Sequence, residues 1–198
     1  MAGLKIMEYY GVKSHKIKSD GSPLTLADLE ANRIITFGLN QSFKNIPIIS
    51  EEGNKSCQND IFFLVDPLDG TKEFLSQNGE FTVNIALIKK GEPILGSVYL
   101  PEKDELYWTD GKESYVKSKN KKKIIKVSEF KKKYYKIEIS RSHMDEKTKR
   151  FIKYLNPFKT NMAGSSLKIC NISLGKSNLY PRFSRVNTWD IAAGHAIL

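Results

Sequence analysis

Three separated groups of acidic residues carry the clearest chemical signal in this sequence. They are the segment Asp66-Pro67-Leu68-Asp69-Gly70-Thr71, the pair Glu51-Glu52 upstream of it, and Trp189-Asp190 near the end. Two carboxylates three residues apart on one turn can converge on a single point. Magnesium in phosphate chemistry is held by a few carboxylates together with substrate oxygens. The acidic groups therefore predict a cage for hard divalent cations, of which magnesium suits the donors best.

The strands that would position these acids can be predicted from the hydrophobic pattern. The apolar run over residues 61–65 is typical of a buried strand, which we expect to end at Pro67. A short strand over residues 46–50 would deliver Glu51 and Glu52. Both groups of acids are then expected at strand ends.

Helices are predicted next to these strands. Residues 26–39 are predicted to form a helix with an apolar side, which Thr25 can cap, and Asp28 lies in its first turn. Gly70-Thr71 opens a short helix, whose first backbone amides are a ready anion site beside the carboxylates. A final helix opens at Trp189-Asp190. We therefore expect amides and carboxylates that suit phosphate and metal to lie side by side.

The rest of the chain predicts a layered α/β fold, with an α+β order of layers. Strands over residues 81–88, 94–100 and 105–109 are joined by short links, which favour antiparallel neighbours. Further along we expect a strand up to residue 140, helices over 145–155 and 166–174, and a strand near 179. We divide the chain into an N-terminal α+β domain over residues 1–133, with an antiparallel sheet and most metal ligands, and a C-terminal α/β domain over residues 134–198.

Each acidic group also has an explanation that involves no chemistry. Asp66 and Asp69 could form an ordinary β-turn, because Asp, Pro and Gly favour turns. The adjacent acids Glu51-Glu52 could lie at an exposed strand end. Asp28 or Asp190 could be favoured in a first helical turn by the helix dipole. No single residue decides between these explanations, and the joint pattern favours the metal site.

The charge of the chain is concentrated in one stretch. The net charge is +10, and residues 112–136 contain eleven lysines against only Glu113 and Glu129. Such a stretch could bind nucleic acid or an anionic surface. No recognised nucleic-acid motif accompanies it, and Arg is scarce relative to Lys. We interpret it as a solvated hairpin and loop, and we expect no nucleic-acid partner.

The cysteines and the apolar segments indicate the cellular compartment of the protein. Cys57 and Cys170 are far apart and provide neither a disulfide framework nor a metal-ligand spacing. The N-terminus has no secretory pattern, and no apolar stretch approaches the roughly 20 residues that span a bilayer. We expect a cytoplasmic protein without stable membrane insertion, with peripheral placement at the inner membrane surface as an alternative.

The joint pattern resembles the inositol monophosphatase superfamily of magnesium-dependent, lithium-sensitive phosphatases. The resemblance runs over nearly the whole chain, in order and with compatible spacing. Its pieces are residues 20–28, 50–52, 66–74, 78–88, 139–143, 164–168, 179–183 and 189–196. Residues 66–71 and Trp189-Asp190 are highly specific for the superfamily, whereas residues 72–74, 78–88 and 164–168 point to its bacterial 3′(2′),5′-bisphosphate nucleotidase branch.

The resemblance implies a sugar-phosphatase-like α-β-α-β-α sandwich that removes the 3′-phosphate of adenosine 3′,5′-bisphosphate, giving AMP and phosphate, by in-line attack of a metal-activated water. It implies two or three Mg²⁺ ions. The implied metal ligands are Glu51, Asp66, the Leu68 carbonyl, Asp69 and Asp190. The implied catalytic residues are Asp28, Glu52 and Thr71. The implied substrate-binding residues are Gly70, Thr71, His143, Ser165, Lys168, Arg182 and Asp190.

Three points stay open at this stage. Lys168, Arg182 and His143 could each be an ordinary surface or capping residue. Both ends look short for the superfamily, so we expect a sandwich truncated at both ends and an incomplete C-terminal domain. The alternative functions are an inositol monophosphatase and a nucleotide-binding remnant with little activity. The expected partner is a small nucleotide bisphosphate, and homo-oligomerisation is left open.

Overall fold

The computed structural model describes residues 1–129 and 134–198. The described residues form six helices and eleven strands. The helices are α1 (Ala2–Glu8), α2 (Leu26–Ser42), α3 (Thr71–Leu75), α4 (Glu146–Tyr154), α5 (Leu167–Ser173) and α6 (Thr188–Ile197). The strands are β1 (Lys16–Ile17), β2 (Pro23–Leu24), β3 (Ile48–Ser50), β4 (Ile61–Asp69), β5 (Thr82–Lys89), β6 (Glu92–Leu100), β7 (Glu105–Thr109), β8 (Ser114–Ser118), β9 (Lys121–Ile125), β10 (Tyr135–Ser140) and β11 (Phe158–Ala163).

The strands of the described residues form one large sheet and two small ones. The large sheet has the order β3-β4-β5-β6-β7-β8-β9. β3 and β4 are parallel, whereas the later neighbours are antiparallel, as their short links predicted. β10 and β11 form a parallel pair, and β1 and β2 form a short antiparallel pair.

The helices and sheets stack in layers. α1 and α2 pack on one face of the large sheet, around a core that includes Ile6, Ala31 and Phe63. α5 and α6 pack on the opposite face, where Cys170 and Ala193 join a core with residues from β4 to β9. The β10–β11 pair follows, and α4 covers its outer side through Ile152. This order agrees with the predicted α-β-α-β-α sandwich.

The strand that carries the first aspartates is longer than predicted. The expected end at Pro67 is wrong, because β4 continues through Asp69. The pairing of β4 with β5 shifts register between Asp66 and Asp69. A register shift leaves residues outside the regular ladder, so the missing N–H of Pro67 costs no ladder hydrogen bond. Asp66 and Asp69 consequently lie on an irregular strand end rather than on a free turn.

Other element predictions have mixed outcomes. Thr25 caps α2, and its side chain and that of Asp28 form a capping box. The lysine-rich stretch contains the β8–β9 hairpin. β11 was not predicted, and the strand expected near residue 179 is only an isolated bridge between Ile137 and Leu179. None of the helices in the described part of the chain combines the length and apolar character that crossing a bilayer requires.

The predicted domain division stays a prediction. Its boundary at residue 133 falls in 130–133, which lie outside the described residues. α5 and α6 belong to the predicted C-terminal domain, yet they pack on the large sheet of the predicted N-terminal domain. The candidate site described below draws residues from both sides of the boundary.

Gly96→Ala is expected to destabilise the fold, because α6 lies directly on β6. A Cβ at residue 96 would overlap the carbonyl oxygen of Ala193 and lie 2.9 Å from Ala196 Cβ. Overpacking of this kind costs about 1–3 kcal/mol. Thermal unfolding should show a lower melting temperature. The matched control is Gly38→Ala, where α2 offers open space, and it should stabilise by about 0.5–1 kcal/mol. Equal melting temperatures of the two variants would contradict the close packing.

Candidate active site

Four of the carboxylates that line one cavity of about 550 Å³ come from three parts of the fold and belong to the predicted acidic groups. Asp66 and Asp69 lie in β4, Glu51 directly follows β3, and Asp190 lies in the first turn of α6. Because β3 and β4 are parallel neighbours, Glu51 and Asp66 emerge at the same edge, and the Glu51 N–H donates to the carbonyl of Val65 at 3.0 Å. α6 packs across β4, β5 and β6, which brings Asp190 to that edge.

Neighbouring donors fix the aspartates of β4. Asp66 Oδ1 accepts the N–H of Leu68 at 3.1 Å. Asp69 Oδ2 accepts Asn84 Nδ2 at 3.2 Å and the hydroxyl of Ser166 at 3.1 Å. The same Ser166 hydroxyl also lies 2.9 Å from the Asp190 carbonyl. The hydrogen bonds of Asp69 therefore join β4, β5 and the start of α5 at the cavity floor.

The aspartates of the cavity have unusual proton affinities. Burial raises the pKa of Asp66 well above its ordinary range, and the charges of Glu51, Asp69 and Asp190 raise it further. Burial also raises the pKa of Asp69, although the charge of Lys168 opposes the shift. Burial and the charge of Asp69 raise the pKa of Asp190 to about 7. Together the carboxylates place more negative charge at the cavity than the neighbouring cations balance.

This donor set fits magnesium, although the geometry is open rather than preformed. Within residues 1–129 and 134–198, no three His, Cys, Asp or Glu side chains are already close enough together to form a finished metal site. The donors are nevertheless carboxylate oxygens, Leu68 lines the same cavity, and hard cations prefer oxygen ligands. A divalent cation would relieve the mutual repulsion that raises the aspartate pKa values.

Lys18 supplies a positive charge at the side of this cluster. Its Nζ donates to Glu51 Oε1 at 2.8 Å and also to Glu52 Oε1. Burial disfavours the ammonium, but these two hydrogen bonds outweigh burial and raise the pKa of Lys18. Burial raises the pKa of Glu52 despite this contact. Lys18 therefore holds the Glu51-Glu52 pair at the cavity edge.

A hydroxyl–carboxylate pair lies beside the cluster. Thr71, the first residue of α3, donates its hydroxyl to Asp28 Oδ1 at 3.2 Å. The other oxygen of Asp28 accepts the N–H and the hydroxyl of Thr25 at 2.8 and 2.6 Å. Burial raises the pKa of Asp28, while the hydrogen bonds from Thr25 and Thr71 oppose the shift. Asp28 is thereby fixed as an acceptor behind the Thr71 hydroxyl.

Basic groups line the same cavity, and together we call Lys168, Arg182 and His143 its basic wall. Lys168 is only 4% exposed, and its Nζ donates to the Ser165 carbonyl at 2.5 Å. Arg182 Nη1 donates to the Tyr180 hydroxyl at 3.1 Å, and within the described residues Arg182 Nε is buried without a hydrogen-bond partner. Burial and the charge of Arg182 lower the pKa of His143, so its ring is neutral at pH 7. These groups are suited to receive an anion.

Of the residues predicted for the site, Asp28 and Glu52 do not line the cavity. Asp28 accepts the hydroxyl of Thr71, which does line it, and Glu52 follows the lining residue Glu51 in the chain. The other predicted residues line it together, namely Glu51, Asp66, Leu68, Asp69, Gly70, Thr71, His143, Ser165, Lys168, Arg182 and Asp190. The structure adds four contributors that the sequence did not indicate, namely Lys18, Asn84, Ser166 and Tyr180. Asn84 and Ser166 lie inside the segments that carry the resemblance, whereas the position of Lys18 offered no signal.

The metal-free protein should lose stability as the pH rises from about 4 to about 7. A carboxylate whose pKa is raised in the folded state binds its proton more tightly there, so its stabilising effect is complete below the unfolded-state pKa of about 4 and is lost above it. For Asp190 the loss extends to about pH 7. Melting temperatures in EDTA should therefore fall by several degrees between pH 5 and pH 7.5.

The variant Asp190→Asn measures how much Asp190 contributes to the pH dependence of stability. The asparagine oxygen can still accept the N–H of Asn187, which Asp190 Oδ2 now accepts at 3.0 Å, so the cap of α6 is retained. The variant should show a smaller fall in melting temperature over the same pH range, and Mg²⁺ should stabilise the wild type more than the variant. An identical pH dependence in both proteins would contradict the raised pKa of Asp190.

The five-layer sandwich, with acidic strand ends and basic groups lining one cavity, defines a class of protein: the sugar-phosphatase-like α/β sandwiches. The model of the inositol monophosphatase family matches residues 1–198. The chain is 43% identical to the 3′(2′),5′-bisphosphate nucleotidase CysQ of Escherichia coli K12, over 99% of this chain and 82% of that protein. It is 44% identical to the CysQ of Buchnera aphidicola, over 100% of this chain and 77% of that protein.

The chain belongs to the inositol monophosphatase family. The crystal structure of CysQ from Bacteroides thetaiotaomicron, a bacterial member of that family, superposes with a TM-score of 0.86 at 37% identity, covering 99% of this chain and 80% of that one. An inositol monophosphatase structure from Thermotoga maritima superposes with a TM-score of 0.83 at 26% identity, covering 99% of this chain and 77% of that one. The predicted resemblance and the predicted sandwich fold are confirmed.

Proposed function

We propose that the chain is a magnesium-dependent phosphatase that removes the 3′-phosphate of adenosine 3′,5′-bisphosphate, giving AMP and phosphate. The observation that carries the proposal is a single cavity lined both by the four carboxylates, its carboxylate wall, and by the buried Lys168 and the half-buried Arg182 of its basic wall. Similarity to bisphosphate nucleotidases over 99% of the chain supports the choice of substrate. A bisphosphate matches this arrangement because it presents two anionic groups, one to each wall.

The carboxylate wall would hold magnesium through Glu51, Asp66, Asp69, Asp190 and the Leu68 carbonyl. When bound there, two or three Mg²⁺ ions would neutralise the charge that develops on phosphate and lower the pKa of water. The Gly70 and Thr71 amides at the start of α3 would orient the scissile phosphate next to these ligands. The protein groups thus fix where the phosphate lies, and in-line attack requires that position.

The Thr71–Asp28 pair would handle the proton of the attacking water. The Thr71 hydroxyl can accept a hydrogen bond from water while it donates its own proton to Asp28. Asp28 is held by Thr25, and its raised pKa makes it a better proton acceptor than an ordinary aspartate. Glu52 would support the same region through its ion pair with Lys18.

The basic wall would bind the second phosphate. Arg182 has a buried Nε that can donate to a phosphate oxygen, and Lys168 provides a point charge. His143 and Ser165 border the same region and can contribute neutral hydrogen bonds. An inositol monophosphate lacks a second phosphate and would leave these cations without a partner, which favours the nucleotide.

The test is phosphate release in the presence of Mg²⁺ from a panel of three substrates. Adenosine 3′,5′-bisphosphate should be hydrolysed with a higher kcat/KM than inositol 1-phosphate or fructose 1,6-bisphosphate. A preference for inositol 1-phosphate would instead support the alternative, an inositol monophosphatase. Nucleotide binding without phosphate release would support a binding remnant. The metal-free control replaces Mg²⁺ with EDTA, which should abolish release.

Partners and compartment form the remaining part of the proposal. The described residues include free Cys57 and Cys170, as a reducing cytoplasm favours. We propose no nucleic-acid partner, because the lysines of β9 are exposed and no recognised nucleic-acid motif accompanies them in the sequence. Salt-sensitive binding to generic DNA or RNA would contradict this.

A further inference from the structure

An ion pair next to the cavity joins the start of β5 in the large sheet to the end of β10 in the small sheet. Arg141 follows the end of β10, and Glu80 precedes β5. Arg141 Nε and Nη2 donate to the two carboxylate oxygens of Glu80, each at 2.8 Å. The hydrogen bond from Arg141, set against partial burial, lowers the pKa of Glu80. A two-bond fork of this kind fixes orientation as well as distance.

The same carboxylate also holds the neighbouring strand of the small sheet. The N–H of Gly164, directly after β11, donates to Glu80 Oε2 at 2.7 Å. Arg141 Nη2 donates in addition to the Met162 carbonyl at 3.2 Å. Glu80 therefore binds the ends of both β10 and β11. The residues that follow these ends are His143 and Ser165, which line the basic part of the cavity.

The backbone of Glu80 packs tightly between two glycines of the site. A Cβ at Gly164 would lie 2.8 Å from the Glu80 carbonyl oxygen, and one at Gly70 would lie 3.3 Å from it. A second bridge lies close by, since the Ser142 hydroxyl donates to Glu73 Oε1 of α3 at 2.5 Å. The turn at Gly70, which precedes α3, and the loop that carries Ser165 are therefore held at a fixed distance from each other.

We propose that Glu80 and Arg141 are positioning residues for the second-phosphate subsite. Their fork sets the distance between the wall that binds the scissile phosphate and the loops that carry His143 and Ser165. The pair thereby selects substrates with two phosphates at the matching separation. The inference rests on the proposed function, and neither residue contacts the reacting atoms.

Arg141→Lys tests the inference, because lysine keeps the positive charge but cannot form the fork. The measurement is kcat and KM for adenosine 3′,5′-bisphosphate and for adenosine 3′-monophosphate, which lacks the second phosphate. A misplacement of about 1 Å can cost up to about 100-fold, so KM for the bisphosphate should rise roughly 10- to 100-fold. KM for the monophosphate should change little. Glu80→Gln keeps an oxygen that can accept the Gly164 N–H. It should likewise raise KM for the bisphosphate and leave KM for the monophosphate nearly unchanged.

The matched control is Arg33→Lys. Arg33 donates through Nε and Nη2 to Glu30, but on the exposed surface of α2, and its substitution should leave both substrates unaffected. The melting temperature of each variant is also measured, together with its affinity for adenosine 3′,5′-bisphosphate by calorimetry in EDTA. Weaker binding of the bisphosphate by Arg141→Lys at an unchanged melting temperature supports the inference.

Other outcomes overturn it. An unchanged substrate preference in Arg141→Lys, or equal losses on both substrates with a lower melting temperature, would show that the pair is only structural. If the wild type releases no phosphate, the proposed function fails, and the positioning role is then judged on binding. Equal affinity of wild type and Arg141→Lys, or no binding by either protein, would refute that role.

Discussion

Asp66→Asn is expected to lower turnover by about 1,000-fold or more while the protein stays folded. Asp66 is the buried centre of the carboxylate cluster, where Glu51, Asp69 and Asp190 all act on its charge. A bound metal contributes several kcal/mol to phosphate transfer, and each 1.36 kcal/mol is tenfold in rate. The measurement is kcat with adenosine 3′,5′-bisphosphate at saturating Mg²⁺, together with the Mg²⁺ dependence of melting temperature.

The melting temperature of Asp66→Asn shows whether its lower turnover comes from the lost metal ligand or from unfolding. Asparagine has the same shape, and its oxygen can still accept the N–H of Leu68. Because a buried charge without a cation is removed, the variant should melt higher than the wild type in EDTA at pH 7.5. Stabilisation by Mg²⁺ should be reduced. The control is Asp60→Asn, an exposed aspartate just before β4, which should change neither property. Near-normal turnover of Asp66→Asn would refute the assigned metal ligands.

Thr71→Ala is expected to lower kcat by about 100- to 10,000-fold, the usual contribution of a positioned proton acceptor. The substitution removes the hydroxyl that donates to Asp28 at 3.2 Å, and it separates Asp28 from the water it would deprotonate. KM should change little, because the backbone amide of residue 71 is retained. The measurement is kcat and KM for adenosine 3′,5′-bisphosphate.

Thr71→Ser is the matched control for this prediction. Serine keeps the hydroxyl and loses one methyl group, so most of the turnover should remain. Asp28→Asn should resemble Thr71→Ala in kcat, because the amide is a poor proton acceptor. Equal activity of the alanine and serine variants would exclude the hydroxyl from the reaction. That result would not bear on the assignment of the metal ligands.

Much of the fold could be predicted because its signals are local. The cap at Thr25, the apolar run before Asp66 and the short links between β5, β6 and β7 each depend on a few adjacent residues. β11 was missed because four of its six residues are exposed, so its sequence shows no apolar alternation. The sequence predicts that β4 ends at Pro67, because the register shift that accommodates this proline depends on pairing with β5.

The acidic residues and their chemistry were determined by the sequence, since residue type and spacing alone favour oxygen ligands for magnesium. Only the tertiary structure decided which side chains complete the site. Lys18 meets Glu51 across 33 positions, and Arg141 meets Glu80 across 61. Contacts over such separations are set by how β4, α6 and the small sheet pack. No local pattern encodes them, because each partner alone looks like an ordinary surface charge.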